Sequence, residues 1–188
     1  MRCLGLWATF RPPGDDSPAA RILRIKKVCH LDLVGPVKQS SSSHKHLLTI
    51  IDRSTRFPVA IPLLNTDAQT IWKWFEASLI QLFGIPVNLI TDRGSQFTGS
   101  YWAQQCKAYN INHSTTAAYN PQQNGFVERW HRVLKDTLKA TANQHQDWVD
   151  RLPILLLGLR AQPSSDSGLS PHQMVFGTEP YLPADFAP

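Results

Sequence analysis

Short apolar runs separated by turn-forming residues predict a β-rich first half of the chain. Runs of this length, rich in β-branched residues and bounded by Gly, Pro and Ser, are typical of strands. The first two runs are apolar on both faces, which predicts central positions in a sheet. The predicted strands are 28–35, 46–52, 57–63, 87–91 and 113–117.

Helical periodicity fills the intervals after the third strand. Within 67–82 the apolar positions follow the helical period, at Ile71, Trp74, Phe75, Leu79 and Leu82. A capping box over 66–69 and a stop at Gly84 delimit this helix. Further helices are predicted near 99–109, 125–142, 147–160 (interrupted by Pro153) and 170–176. The alternation predicts an α/β fold.

The first 27 residues have no periodic pattern. They include the stretch PPGDDSP at 12–18, which is turn and linker chemistry. We therefore expect residues 1–27 to be a poorly ordered leader and residues 28–186 to be one folded domain.

The composition indicates a globular protein but does not identify its function. With 42% apolar residues and a net charge of +5, the chain is globular and permits, without requiring, a polyanionic partner. Three widely spaced cysteines imply no disulfide framework, and no spacing of Cys and His indicates a zinc module. No run approaches the roughly 20 apolar residues of a membrane span, so no membrane association is expected.

Three separated acids form the most informative pattern. Asp32 interrupts the first predicted strand, Asp92 follows the fourth, and Glu128 lies near the start of the helix at 125–142. A carboxylate inside a strand must be paired, hydrogen-bonded or metal-bound, because an isolated buried charge is costly. Ligands bind at the carboxyl ends of strands in open α/β sheets, where Asp92 is expected. Such acids are the residues that hold divalent cations for phosphodiester chemistry.

Each acid also has an ordinary structural explanation. Asp32 could form a salt bridge, Asp92 could make an Asx turn before Gly94, and Glu128 could complement a helix dipole. Asp52 is interpreted as a turn residue. Three further acids are expected to be solvated charges on helix surfaces: Glu76, Asp136 and Asp150.

The helix at 125–142 has two distinct faces. Its apolar residues Val127, Trp130, Leu134 and Leu138 would pack on the core. A second stripe presents an acid followed by cations: Glu128, Arg132, Lys135 and Lys139. This stripe is either a set of weak surface ion pairs or a track for a phosphate backbone.

The segment before this helix is rich in amide side chains, which can contact bases or phosphates, and it contains a tyrosine that can stack on a base. The predicted DNA contacts there are Tyr119, Asn120, Gln122, Gln123 and Asn124.

These segments together resemble the integrase catalytic core of retroviruses and of gypsy-type long-terminal-repeat retrotransposons. The matching segments are 30–36 (HLDLVGP), 48–53 (LTIIDR), 91–97 (TDRGSQF), 119–131 (YNPQQNGFVERWH) and the tail beginning at 152. The similarity runs from about residue 28 to about residue 186, and the 35 residues between Asp92 and Glu128 are part of it.

The resemblance implies an RNase H-like fold, a five-stranded mixed sheet flanked by helices. It also implies that Asp32, Asp92 and Glu128 bind two Mg²⁺ ions, with Mn²⁺ able to substitute. The implied reactions are trimming of a DNA end by water and strand transfer by the resulting 3′-hydroxyl. The implied partners are element and target DNA and, for the active form, further copies of the chain. Members of this family usually carry a zinc-binding domain before the core and a DNA-binding domain after it, so we expect this chain to be the core of a larger protein.

Two other functions are compatible with the sequence. One is a domesticated protein of the same fold that binds DNA or a partner without catalysis. The other, a nuclease for RNA–DNA hybrids, would explain the acids but not the glutamine-rich segment or the tail. A chromosomal DNA substrate predicts a nuclear location.

Overall fold

A five-stranded mixed sheet forms the centre of the protein. The structure is a computed structural model and describes residues 28–37, 40–116, 129–134, 136, 147–165 and 167–182. The strands are β1 (Val28–Val34), β2 (His46–Asp52), β3 (Pro58–Leu63), β4 (Asn88–Thr91) and β5 (Asn112–Thr115), in the order β3-β2-β1-β4-β5. This confirms the predicted sheet and the inner positions of the first two strands.

The sheet is antiparallel on one side of β1 and parallel on the other. β1 pairs antiparallel with β2, which pairs antiparallel with β3. β1 pairs parallel with β4, and β4 pairs parallel with β5. The connections to β4 and to β5 contain helices, as parallel crossovers require.

Helices flank the sheet. They are α1 (Ala68–Phe75), continued by a π-helical turn (Glu76–Ile80) and a last turn (Gln81–Phe83), α2 (Ser95–Thr98), α3 (Ser100–Ala108), α4 (residues 129–134), α5 (Trp148–Ala161) and α6 (Pro171–Phe176). No helix in the described ranges is both long enough and apolar enough to cross a bilayer.

Alternating side chains of β1 and β2 fill a core on each face of the sheet. Leu31, Leu48 and Ile50 belong to a core with α1 and α3, which contains an aromatic group around Trp102. Leu47 and Ile51 belong to the core on the other face, with α4 and α5. Because the period along a strand is two, Asp32 and Thr49 fall on the face that α4 covers.

The first helix differs from its prediction in two respects. Asp67, not Thr66, is the N-cap, and its carboxylate accepts from the Thr70 amide at 2.9 Å. Trp72 is buried, whereas Trp74 and Leu82 are 42% and 71% exposed. The π-helical turn inserts an extra residue into the helical period, so it rotates Leu82 away from the core. The stop at Gly84 is confirmed, with φ of 87°.

Other boundaries shift for identifiable reasons. The helix predicted near 99–109 is confirmed as α3, but the short helix α2 before it was not predicted, and the two are separated at Gly99, whose backbone is extended. α5 continues through Pro153, so the predicted interruption is wrong. Trp148, Leu152 and Leu156 are buried along α5, and their packing offsets the roughly 3 kcal/mol that a proline costs inside a helix. The helix predicted at 125–142 is described only over 129–134 and at 136, where it is helical.

Arg160 fastens the end of α5 to the sheet. Its Nε donates to the Pro58 carbonyl at 3.0 Å, and its guanidinium lies 4.6 Å from the centroid of the Phe57 ring. Burial lowers the pKa of this arginine, which stays charged because its ordinary pKa is so high.

Two glycines provide a matched test of the backbone. Gly35, just after β1, has φ of 146°, and a Cβ there would lie 2.8 Å from the Lys45 carbonyl oxygen. Gly158 lies inside α5 with nothing within 4 Å of its Cβ position. We expect Gly35→Ala to lower the free energy of unfolding by about 1–3 kcal/mol and Gly158→Ala to raise it by about 0.5–1 kcal/mol. Urea denaturation measures both, and equal effects would contradict this description of the loop after β1.

A half-buried histidine on β5 predicts a pH dependence of stability. His113 Nε2 lies 2.8 Å from Thr91 Oγ1, and burial lowers the pKa of His113 below its ordinary value of 6.5. The unfolded chain therefore binds more protons, so the free energy of unfolding should fall as pH drops below about 6.5. His113→Gln keeps a donor at the position of Nε2 and does not titrate, so denaturation between pH 5 and pH 7 should show a weaker dependence in the variant (a range set by the histidine pKa of roughly 6.5). An unchanged slope would contradict this prediction.

Candidate metal-binding active site

Asp32 lies in the middle of the central strand, as predicted. Its side chain is 34% exposed, so it is neither buried in the core nor fully solvated. Oδ1 accepts from the backbone amide of Leu33 at 2.8 Å, and Oδ2 lies 3.3 Å from Nδ1 of His131. The carboxylate is thus oriented by contacts on both oxygens.

His131 connects Asp32 to the neighbouring strand. Its Nε2 lies 2.9 Å from Thr49 Oγ1, and Thr49 Oγ1 lies 3.1 Å from the backbone carbonyl of Asp32. Thr49 is the cross-strand partner of Asp32 in the β1–β2 pairing. Both His131 and Thr49 are buried.

Asp92 follows β4 by one residue. Its Oδ1 accepts a hydrogen bond from the Gly94 amide at 2.9 Å. This is the Asx turn that the sequence offered as an ordinary structural explanation of Asp92. The turn is anchored because Phe97 is buried against Trp102, with ring centroids 5.0 Å apart. Among the described residues, no hydrogen bond or ion pair involves Asp92 Oδ2, so this oxygen could bind a cation.

The parallel pairing of β1 with β4 brings the two aspartates together. The last paired residues are His30 and Ile90. Asp32 and Asp92 each follow these residues by two positions, and neighbouring strands of a sheet are about 4.8 Å apart. Both aspartates therefore lie near the carboxyl end of β4.

The remaining predicted site residues divide into two groups. Arg132 is exposed on α4, while Trp130 and Leu134 on the same helix are buried, as the two-face pattern predicted. The other predicted residues lie outside the described ranges: Tyr119, Asn120, Gln122, Gln123, Asn124, Glu128, Lys135 and Lys139.

Thr49 and His131 were not predicted to take part in the site. The sequence holds one signal for His131, which follows Glu128 by three residues and therefore shares its face of a helix. It holds no local signal for Thr49, whose position depends on the register of β1 with β2.

The competing acids have structural roles or exposed positions. Asp52 Oδ2 accepts from the amide and the hydroxyl of Thr55, both at 2.8 Å, which confirms turn chemistry. Glu76 is not a solvated charge, because it accepts from the Tyr109 hydroxyl at 2.6 Å. This bond raises the pKa of Tyr109 to about 12. Asp136 and Asp150 are exposed, as predicted.

Cysteine chemistry does not account for the site. Cys29 and Cys106 are buried and form no disulfide, and burial raises the pKa of the Cys106 thiol to about 11. A nucleophilic cysteine needs the opposite, an accessible thiol with a lowered pKa. A cavity of about 210 Å³ lined by Arg56, Arg129 and Trp130 involves neither Asp32 nor Asp92.

The donor set around the two aspartates fits a hard divalent cation. Carboxylate oxygens are the ligands that Mg²⁺ and Mn²⁺ prefer. Within the described ranges no three metal-binding side chains are gathered at one point, and Glu128, the third predicted ligand, lies outside those ranges. The described residues therefore include two of the three predicted ligands and the contacts that orient one of them.

The sequence matches a known family and its relatives. The integrase core domain family matches residues 24–121. The Gag-Pol polyprotein of avian reticuloendotheliosis virus is 34% identical over 142 residues, which cover 75% of this chain and 12% of the polyprotein. The Pol polyprotein from transposon 412 of Drosophila melanogaster is 30% identical over 157 residues, which cover 83% of this chain and 13% of the polyprotein. The chain thus spans about an eighth of the length of these relatives.

Solved structures with the same fold are integrase cores. The catalytic core domain of BIV integrase aligns with a TM-score of 0.66 and 23% identity, covering 81% of this chain and 95% of that one. The HTLV-2 integrase catalytic core in complex with magnesium aligns with a TM-score of 0.64 and 20% identity, covering 80% and 96%. The fold is RNase H-like, as expected. Together with the sequence match, this leads to one conclusion: the chain belongs to the integrase core domain family.

Proposed function

We propose that this chain is the catalytic core of a retroelement integrase, a metal-dependent polynucleotidyl transferase that trims DNA ends and joins them to target DNA. The observation that carries the proposal is the parallel pairing of β1 with β4, which ends at His30 and Ile90, two residues before the partly exposed Asp32 and Asp92. Membership of the integrase core domain family supports it.

Asp32, Asp92 and Glu128 would hold the metal, and we propose two Mg²⁺ ions, with Mn²⁺ able to substitute. When bound, the ions activate the attacking oxygen and stabilise the leaving oxygen of the phosphodiester. The HTLV-2 integrase catalytic core, whose fold is similar to that of this chain, was solved in complex with magnesium. The protein contributes positioned carboxylates, and neither buried cysteine is placed to act as a nucleophile.

DNA is the proposed substrate, and α4 is the proposed surface along which its backbone runs. Arg129 and Arg132 are exposed on α4 and three residues apart, next to the contact between His131 and Asp32. The proposed contacts from the segments beside this helix are Tyr119, Asn120, Gln122, Gln123, Asn124, Lys135 and Lys139.

The proposed core extends over residues 28–186 and follows a leader formed by residues 1–27. We propose that the active form is a homo-oligomer, because two DNA ends must be held for joint insertion. HTLV-2 integrase cores are known in dimeric and trimeric forms, and a simian T-cell lymphotropic virus intasome has a similar fold. Chromosomal DNA as the target places the proposed site of action in the nucleus.

An end-nicking and strand-transfer assay on labelled DNA with Mg²⁺ or Mn²⁺ tests the proposed reaction. Asp92→Asn removes a ligand charge, and we expect a loss of product larger than the roughly 10–100-fold that loss of an outer-shell partner costs. Asp150→Asn is the matched control, because Asp150 is exposed on α5, and its products should equal those of the wild type. If neither wild type nor Asp92→Asn cuts or joins DNA while both bind it equally, the chain is a binding protein without catalysis.

Salt-dependent DNA binding tests the proposed α4 surface. Arg132→Ala should weaken binding to any sequence and reduce the slope of log affinity against log salt by about one, because one phosphate contact is lost. Lys73→Ala is the control, since Lys73 is exposed on α1, against the opposite face of the sheet. Fluorescence anisotropy over a range of salt concentrations measures the slope. Identical slopes for the two variants would place the DNA elsewhere.

A further inference from the structure

We propose that His131 is a positioning residue, which holds the Asp32 carboxylate in its metal-binding orientation through a hydrogen bond from Nδ1 and is itself fixed by Thr49. The inference rests on the proposed function, because it requires that Asp32 binds a metal ion. His131 would orient this ligand without binding the metal itself. It is carried by the two contacts of the imidazole, 3.3 Å to Asp32 Oδ2 and 2.9 Å to Thr49 Oγ1.

The hydrogen-bond chemistry fixes which nitrogen carries a proton. An ionised carboxylate only accepts hydrogen bonds, so the contact with Asp32 Oδ2 is favourable only when Nδ1 carries hydrogen. Thr49 Oγ1 lies within hydrogen-bond distance of Nε2, and its hydroxyl donates to the Asp32 carbonyl, so the threonine holds the imidazole close to the backbone of Asp32.

The fold makes this arrangement rigid. Thr49 lies directly opposite Asp32 on β2, and both side chains point to the face that α4 covers. Trp130 and Leu134, on either side of His131 in the sequence, are buried in that core and fix the position of α4. The imidazole is therefore held between a strand and a helix and has little freedom to leave the carboxylate.

The expected effect of losing His131 follows from its contact with a predicted ligand, Asp32. A carboxylate ligand held by such an outer partner typically loses about 10–100-fold in metal affinity when the partner is removed.

Binding of Mn²⁺ alone, measured by isothermal titration or by the electron paramagnetic resonance of free Mn²⁺, tests the inference without an activity assay. His131→Phe keeps a ring and removes both nitrogens, and we expect the dissociation constant to rise by about 10–100-fold. His131→Asn places an amide N–H where Nδ1 lies and should retain most of the affinity. His131→Gln places its amide where Nε2 lies, out of reach of the Asp32 carboxylate. This variant should weaken Mn²⁺ binding as much as His131→Phe does.

Ile71→Val separates positioning from packing. Ile71 is fully buried on α1, in the core on the opposite face of the sheet, so its truncation should lower thermal stability without metal and leave the Mn²⁺ dissociation constant unchanged. The inference is overturned if His131→Phe binds Mn²⁺ as the wild type does, or if Ile71→Val weakens binding as much as His131→Phe. If the Phe variant does not fold, the Mn²⁺ dissociation constants of His131→Asn and His131→Gln are compared instead. Equal dissociation constants for these two variants would overturn the inference.

Asp32→Asn distinguishes this inference from the proposed function. If Asp32→Asn abolishes Mn²⁺ binding and His131→Phe does not change it, the metal site stands and the positioning role fails. If Asp32→Asn binds Mn²⁺ as tightly as the wild type, the proposed metal site itself is wrong.

Discussion

A carboxylate on the central strand is the constraint around which the rest of the protein is arranged. Asp32 lies where neighbouring side chains of β1 and β2 enter the cores, and an ionised group without partners would be costly there. Two groups contact the carboxylate of Asp32: the Leu33 amide on the same strand and the His131 imidazole on α4. The docking of α4 is therefore fixed by a polar contact as well as by the burial of Trp130 and Leu134.

The two cores serve the site in different ways. The core around Trp102 holds Phe97 and so anchors the turn that begins at Asp92. The core on the other face seats α4 and α5, and Arg160 fastens α5 to the Phe57–Pro58 segment. Each aspartate is thus supported from a different layer, and the pairing of β1 with β4 ends two residues before both of them.

Local patterns predicted the strands and most helices, because period and turn residues act over a few positions. The stop at Gly84, the buried stripe of α4 and the turn at Asp52 are of this kind. The errors occur where packing outweighs a local rule. Contacts with the core keep α5 helical through Pro153. The exposure of Leu82 follows from a π-helical turn, which the sequence does not predict.

The sequence by itself determined the order of the elements, the two aspartates as candidate ligands and the family to which the chain is similar. These depend on residue type and spacing along the chain. The tertiary structure alone decided that Asp32 lies opposite Thr49, that β1 pairs with β4, and that His131 contacts Asp32. Such contacts join residues 17, 82 and 22 positions apart in the hydrogen bonds Thr49–Asp32, Thr49–His131 and Thr91–His113. They depend on strand register and helix docking, which are set by burial across the whole sheet rather than by any one segment.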